Sequence, residues 1–143
     1  MSQMANNSVS KKEFESLSDF RYQLRRFLRF SEDLTHKHGV TNLQYLLLLH
    51  VRGYKGREWA TIGELAERLQ AQHNGVVALV SRCEKLGLVR RQRGTIDKRE
   101  VQIHLTADGN KLVTKLAALH RRELRGLGNV LKVPVFEESG TDT

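Results

Sequence analysis

From Phe14 onward, apolar side chains return every three or four residues: Leu17, Phe20, Leu24 and Phe27, then Ser31 in the same register, then Leu34. That spacing follows one face of a 3.6-residue helix and predicts a long amphipathic helix running to about His38. Arg21, Arg25, Arg26 and Arg29 occupy its other face, and Gly39 supplies a C-terminal stop. Thr41 and Gln44 then stand three apart as a capping box, in which each side chain satisfies the other's backbone N–H. A second helix is expected through Leu43, Leu46, Leu47 and Val51, ending between Gly53 and Gly56. Trp59 and Ala60 form a short extended piece. A second capping box, Thr61 with Glu64, opens a short third helix with Leu65, Ala66 and Leu69 facing inward. A break over Gln70 to Asn74 precedes a fourth helix, with Val76, Leu79, Val80, Cys83 and Leu86 inward and Gly87 at its end.

The period then changes. Leu88 to Arg93 alternates weakly and reads as a strand, and Gly94 to Lys98 as a loop. Glu100 to Leu105 sets Val101, Ile103 and Leu105 against Glu100, Gln102 and His104, the alternation of a half-buried strand. The two strands make a hairpin. Thr106 caps a last long helix carrying Leu112, Leu116, Leu119, Leu124, Leu127 and Leu131, and Pro134 lies beyond it. The fold class is therefore mainly α with a small antiparallel β-hairpin. A short helix, a tight break, a second helix and then a hairpin is the winged form of the helix-turn-helix.

Charge selects the partner. The 143 residues carry 24 Lys and Arg against 16 Asp and Glu, a net charge of +8. More than half of the excess falls between Arg82 and Arg99, where Arg82, Lys85, Arg90, Arg91, Arg93, Lys98 and Arg99 face only Glu84 and Asp97. Cations concentrated on a helix end and a hairpin suit the closely spaced phosphates of duplex DNA, which they bind by releasing counterions. RNA is disfavoured, because no aromatic residues interleave with the basic ones.

The start of the fourth helix carries the groups that read bases. Gln72 and Asn74 have amides able to pair two-point with adenine, and His73 can bond a base edge or a phosphate. Val77 suits a thymine methyl group, while Ser81 and Arg82 can reach a base or phosphate. In the hairpin, Arg91, Arg93, Thr95, Lys98 and Arg99 are the candidate DNA contacts. Asp97 is the wrong charge for that role. Either it pairs with a nearby arginine and shapes the loop, or it is an ordinary turn residue.

These segments resemble the MarR (multiple antibiotic resistance regulator) family over about Phe14 to Leu131. The resemblance rests on Glu64-Leu65-Ala66, Leu86 to Arg91, Asp97-Lys98-Arg99, and Leu105-Thr106-Ala107-Asp108-Gly109. It implies a homodimer. Helices over 13–38 and 106–132 would make the dimerisation region, 39–105 the winged DNA-binding lobe, and 1–12 and 135–143 flexible tails. The terminal helices agree, since each carries more apolar surface than one small lobe can cover. Together they imply a sequence-specific repressor on a pseudo-palindromic operator, released by a small aromatic or phenolic effector. Many members open the recognition helix with Ser-Thr and place an Arg soon after. Here those positions read Asn74-Gly75 and Ala78, so the operator is this chain's own.

Other chemistry is sparse. His36, His38, Tyr45, His50 and Arg52 are candidates for an effector pocket, against plain packing for Tyr45 and solvent exposure for Arg52. The histidines make no close metal signature, and no phosphate loop, nucleophile elbow or paired carboxylates stand out, so no enzyme, metal or cofactor is expected. Cys83, the one cysteine, fits a buried core residue in a reducing cytoplasm. Apolar runs such as Tyr45 to Leu49 fall far short of the ~20 residues of a membrane span. The alternative function is sequence-indifferent architectural DNA binding. A winged helix that binds protein is a third class, against which the basic hairpin argues.

Overall fold

A computed structural model describes residues 7–136. Of the tails expected over 1–12 and 135–143, residues 1–6 and 137–143 lie outside the described residues.

Helix α1 (Lys11–Lys37) begins at Ser10, whose Oγ accepts from the Glu13 N–H at 3.1 Å while Glu13 Oε1 accepts from the Ser10 N–H at 3.0 Å. Lys11 and Lys12 therefore belong to the helix and not to a tail. The Ser-x-x-Glu signature that starts it was present in the sequence but lay ahead of the first apolar residue. Gly39 follows the helix at φ 80°, the left-handed turn that glycine takes without strain. Helices α2 (Asn42–Arg52) and α3 (Ile62–Leu69) both open on the expected capping boxes. Helix α4 spans His73–Lys85 and α5 spans Ala107–Leu127.

Three strands form one antiparallel sheet in the order β1-β3-β2: β1 (Trp59–Thr61), β2 (Val89–Arg93) and β3 (Val101–Leu105). The extended piece at Trp59 thus becomes an edge strand, with Ala60 opposite Ile103. Three residues are too few to show a period, which is why the sequence pattern yielded only a hairpin. With β3 in the centre, the expected alternation reverses at its start. Val101 is partly exposed and Gln102 is buried, donating from Nε2 to Glu100 Oε1 at 3.0 Å and accepting from His104 Nε2 at 2.9 Å.

The core gathers around α2, whose Tyr45, Leu47, Leu48 and Val51 are buried. They pack with Leu65 of α3, with Val76, Val80 and Cys83 of α4, with Ile103, and with Val113 and Leu116 of α5. Leu86 departs from the expected inward set. It is the C-cap of α4, beyond the last turn, and is 51% exposed. Helix α5 also stops earlier than 132, at Leu127, and its Leu124 faces outward. Gly126 and Gly128 weaken helix propensity there.

Two tight junctions set the lobe against the terminal helices. At the base of the hairpin, Thr106 Oγ1 donates to the Gly87 carbonyl at 2.6 Å and accepts from the Gly109 N–H at 3.0 Å. The α5 backbone comes so close that a Cβ on Gly109 would lie 2.0 Å from the Leu88 carbonyl oxygen. Deeper in the fold, buried His120 of α5 donates from Nδ1 to the Leu116 carbonyl at 2.7 Å and places Nε2 2.8 Å from Ser31 Oγ of α1. Ser31 in turn bonds Asn42 Oδ1 at 2.8 Å, so α1, α2 and α5 share one polar junction.

Candidate nucleic-acid interface

The turn between α3 and α4 is built from few atoms. Gln70 adopts a left-handed conformation at φ 51°, and its Nε2 donates to the Glu67 carbonyl at 2.8 Å. The Ala71 N–H donates to the Ala66 carbonyl at 3.0 Å. These bonds satisfy the last carbonyls of α3 and free the chain to start α4 two residues later. Gln72 occupies the N-cap of α4 without a side-chain capping bond. Gln72, His73 and Asn74 are all exposed, and among the described residues no side chain or backbone group engages their side chains. Their donors and acceptors face solvent at the positive end of the helix.

Val77 and Ser81, one and two turns along, are partly buried. Ser81 Oγ donates to the Val77 carbonyl at 3.1 Å and accepts from Arg91 Nη2 at 3.0 Å. Arg91 Nη1 also pairs with Glu84 Oε1 at 2.5 Å. Two residues expected at the DNA, Ser81 and Arg91, are therefore engaged with each other, and together they brace β2 against α4. Arg82 is exposed on the same helix.

The loop joining β2 to β3 is held by its own backbone. The Gly94 N–H donates to the Glu100 carbonyl at 2.9 Å, and the Glu100 N–H to the Asp97 carbonyl at 3.1 Å. Asp97 Oδ1 accepts from the Arg99 N–H at 2.9 Å and lies 3.4 Å from Arg99 Nε. Of its two expected roles, shaping the loop is the one this geometry matches. Arg93, Thr95, Lys98 and Arg99 stand exposed around this frame. The wing thus presents cations from a fixed loop next to the exposed polar start of α4, an arrangement suited to gripping phosphates beside base edges.

The five candidate pocket residues have different surroundings. His36 is exposed, and His38 donates from Nδ1 to the Leu34 carbonyl at 2.9 Å. Tyr45 is buried and stacks on His120 with ring centroids 4.7 Å apart; burial raises its phenol pKa. His50 is held below the ordinary imidazole value by burial and by Arg68. Arg52 reaches Glu58 at 2.7 Å and Asn110 at 3.1 Å. None of the five lines the groove of about 880 Å³ between α1 and α5, which is bordered by Arg25, Arg29, Phe27, Phe30 and Arg122 among others.

Sequence reading passed over one cluster beside the turn. The Arg57 guanidinium sits 3.8 Å from the Trp59 ring centroid and 4.4 Å from that of Tyr54, and it pairs with Glu64. Tyr54 Oη donates to Glu64 Oε2 at 2.7 Å. Burial raises the Glu64 pKa, but bonds from Thr61 and Tyr54 and the Arg57 charge outweigh it and hold the carboxyl below its ordinary value. An arginine spaced between two aromatics was the available signal. The clamp fixes the loop that leads into β1 and α3.

No group of three His, Cys, Asp or Glu among the described residues is placed to hold a metal ion. No helix among them is long and apolar enough to cross a membrane.

Comparison with known proteins agrees with this geometry. A family model described as MarR family matches residues 38–100, the span from the C-cap of α1 through α2–α4, β2 and the loop that follows it. The organic hydroperoxide resistance transcriptional regulator of Bacillus subtilis is 32% identical over 91 residues, covering 64% of this chain and 60% of the relative. AbsC, a MarR family transcriptional regulator from Streptomyces coelicolor, shares the fold with a TM-score of 0.74 at 21% identity, over 90% of this chain and 86% of AbsC. A MepR mutant from Staphylococcus aureus, solved bound to an oligodeoxyribonucleotide, superposes with a TM-score of 0.64 at 23% identity, over 79% of this chain and 81% of that one. The helix-turn-helix and wing of this chain thus resemble the MarR family over residues 38–100, and its fold is the one seen in MarR family transcriptional regulators.

Proposed function

We propose that the chain is a homodimeric, sequence-specific repressor that binds a pseudo-palindromic DNA operator. One observation carries the reading: Gln72, His73 and Asn74 are exposed and unengaged at the start of α4, beside a wing that presents Arg93, Lys98 and Arg99. Base-reading amides next to phosphate-gripping cations divide the labour of specific recognition. Arg82 and Thr95 add contacts at the margins, Val77 meets a thymine methyl group, and Arg91 with Ser81 acts by holding the wing in place.

Dimerisation is supported by apolar side chains left in solvent on the terminal helices: Phe14, Leu17, Tyr22 and Leu28 on α1 and Leu124 on α5. Apolar surface concentrated this way marks an interface between proteins. Two lobes in one dimer read half-sites about one helical turn apart, near ~10 base pairs. Repression, and release by a small aromatic effector, follow from the family resemblance.

The reading is tested by selecting binding sites from a random DNA pool with the full chain, then footprinting the winners. A two-fold-related pair of half-sites about ten base pairs apart, bound by one dimer, supports it. Enrichment of no motif would leave the architectural alternative standing. Within a selected site, Asn74→Ala should relax base preference at one position of each half-site, a loss of about 1–3 kcal/mol in discrimination.

A further inference from the structure

We infer that Ile96, at the tip of the wing, is an apolar wedge that enters the DNA minor groove and selects operator flanks that unstack easily. This rests on the DNA-binding reading above.

Ile96 is fully exposed, at 101%, more so than any other large apolar residue among the described ones. Turns favour Gly, Pro, Asn, Asp and Ser, each for a backbone reason. A β-branched residue at the apex meets none of those reasons, so the turn itself does not account for it. The loop also cannot easily fold Ile96 back onto the sheet. Three bonds close it from below: Gly94 to Glu100, Glu100 to Asp97, and Arg99 to the Asp97 side chain. Gly94 is buried in that closure, where a Cβ would lie 2.5 Å from the Asp97 carbonyl oxygen.

The charges around the tip name the surface it meets. Arg93 leads into the loop, and Lys98 and Arg99 lead out of it, all exposed. Cations on both arms can hold the two phosphate strands that border a minor groove, with the apolar tip between them. Apolar side chains delivered in this way pack on sugars and partly part the base steps. An arginine at such a tip favours the narrow, electronegative groove of stiff A-tracts. Isoleucine has no charge to read there. It gains most at pyrimidine–purine steps such as TA, which open readily. Its stiff χ1 leaves little rotamer freedom to lose on insertion.

The test uses the full chain and a selected operator, with 2-aminopurine placed at the step each wing faces and with flanks of either TA steps or A-tracts. Wild type should raise the probe's fluorescence and prefer the TA flanks. Ile96→Ala should bind about tenfold more weakly, with no fluorescence rise. Its salt dependence should match wild type, because an alkyl group releases no counterions, whereas Arg99→Ala should lower the slope by about one unit. Ile96→Arg should move the preference to A-tract flanks and steepen the slope. Ile96→Ala binding as tightly as wild type, or wild type bound equally to both flanks, overturns the proposal while the regulator reading stands. Wild type failing to separate operator from random DNA overturns both.

Discussion

Arg91, on the first strand of the wing, pairs with Glu84 near the end of α4, Nη1 to Oε1 at 2.5 Å. The same guanidinium donates to Ser81 Oγ at 3.0 Å. A cation that lies within the basic hairpin in sequence is thereby turned to a bracing task. Because the pair is partly solvated, Arg91→Ala should cost folding stability no more than about 1 kcal/mol. The larger effect is expected in DNA binding. Affinity should fall as the wing loses its fixed angle, with a salt slope nearly unchanged, in contrast to Arg93→Ala or Arg99→Ala, which should each lower the slope by about one unit. Titrations at several salt concentrations separate the two behaviours; a full unit lost in Arg91→Ala would make Arg91 a phosphate contact.

The glycine at the opening of α5 has a steric origin. Its neighbour across the contact is the Leu88 carbonyl oxygen, only 2.0 Å from where an alanine Cβ would sit. Backbone atoms cannot swing aside as a side chain can. Gly109→Ala should therefore destabilise the fold by about 3 kcal/mol, near the upper end for overpacking. Chemical denaturation measures this directly. A loss below about 0.5 kcal/mol, the range of neutral surface changes, would mean the α5–hairpin junction is loose.

The junction at His120 joins both terminal helices to the lobe. His120 stacks on Tyr45 and meets Phe27 and Phe30 edge-on, while its Nε2 lies at Ser31. Ser31→Ala should cost about 1 kcal/mol, since it strips a partner from buried His120 and from partly buried Asn42. His120→Ala should cost about 3 kcal/mol through lost ring packing and the orphaned serine. The double variant should cost less than the sum, because both changes remove the same bond. Strict additivity in denaturant melts would show that the two residues do not communicate.

Stability should also depend on pH in a defined direction. Burial first, then Arg68 for His50 and Arg90 for His104, hold both imidazoles below their ordinary 6.5. Once unfolded, each takes up a proton near 6.5, so below that value the unfolded chain binds more protons than the folded one. The stabilisation is complete above that value and is lost as pH falls towards the folded values. Melting at about pH 5.5 should thus occur at lower temperature than at about pH 7.5, and His50→Gln with His104→Gln should flatten the difference. In the same melts Cys83 should stay silent towards thiol reagents until unfolding. Burial pushes its thiol up to about 11, with Arg82 offsetting only part of that. Rapid labelling of the native protein would contradict its placement in the core.

Much of the fold was legible because its signals are local. Capping boxes at Thr41 and Thr61 and the stripes of α1, α2 and α4 each declare themselves within a few residues. What escaped depends on contacts made across the chain. Trp59 to Thr61 is a strand only because β3 lies beside it, and Gln102 is buried only because β3 has neighbours on both edges. For the site, exposure of Gln72, His73 and Asn74 and of the wing cations follows from position along helix and loop, and pattern reading finds it. Which arginine serves the fold is decided by Glu84, a whole turn of structure away, and no local pattern states that. Among the candidate pocket residues, the partners the fold gives Arg52 and His50, Glu58 and Arg68, lie outside α2 and are not stated by the local pattern.

The central claim is that this regulator distinguishes its operator from other DNA. The most direct measurement is the affinity of the full chain for a selected operator against random duplex of equal length, both at physiological salt. The account predicts a ratio of at least ~10³, as specific binders show, with the advantage shrinking in Asn74→Ala. Equal affinity for the two DNAs would contradict it.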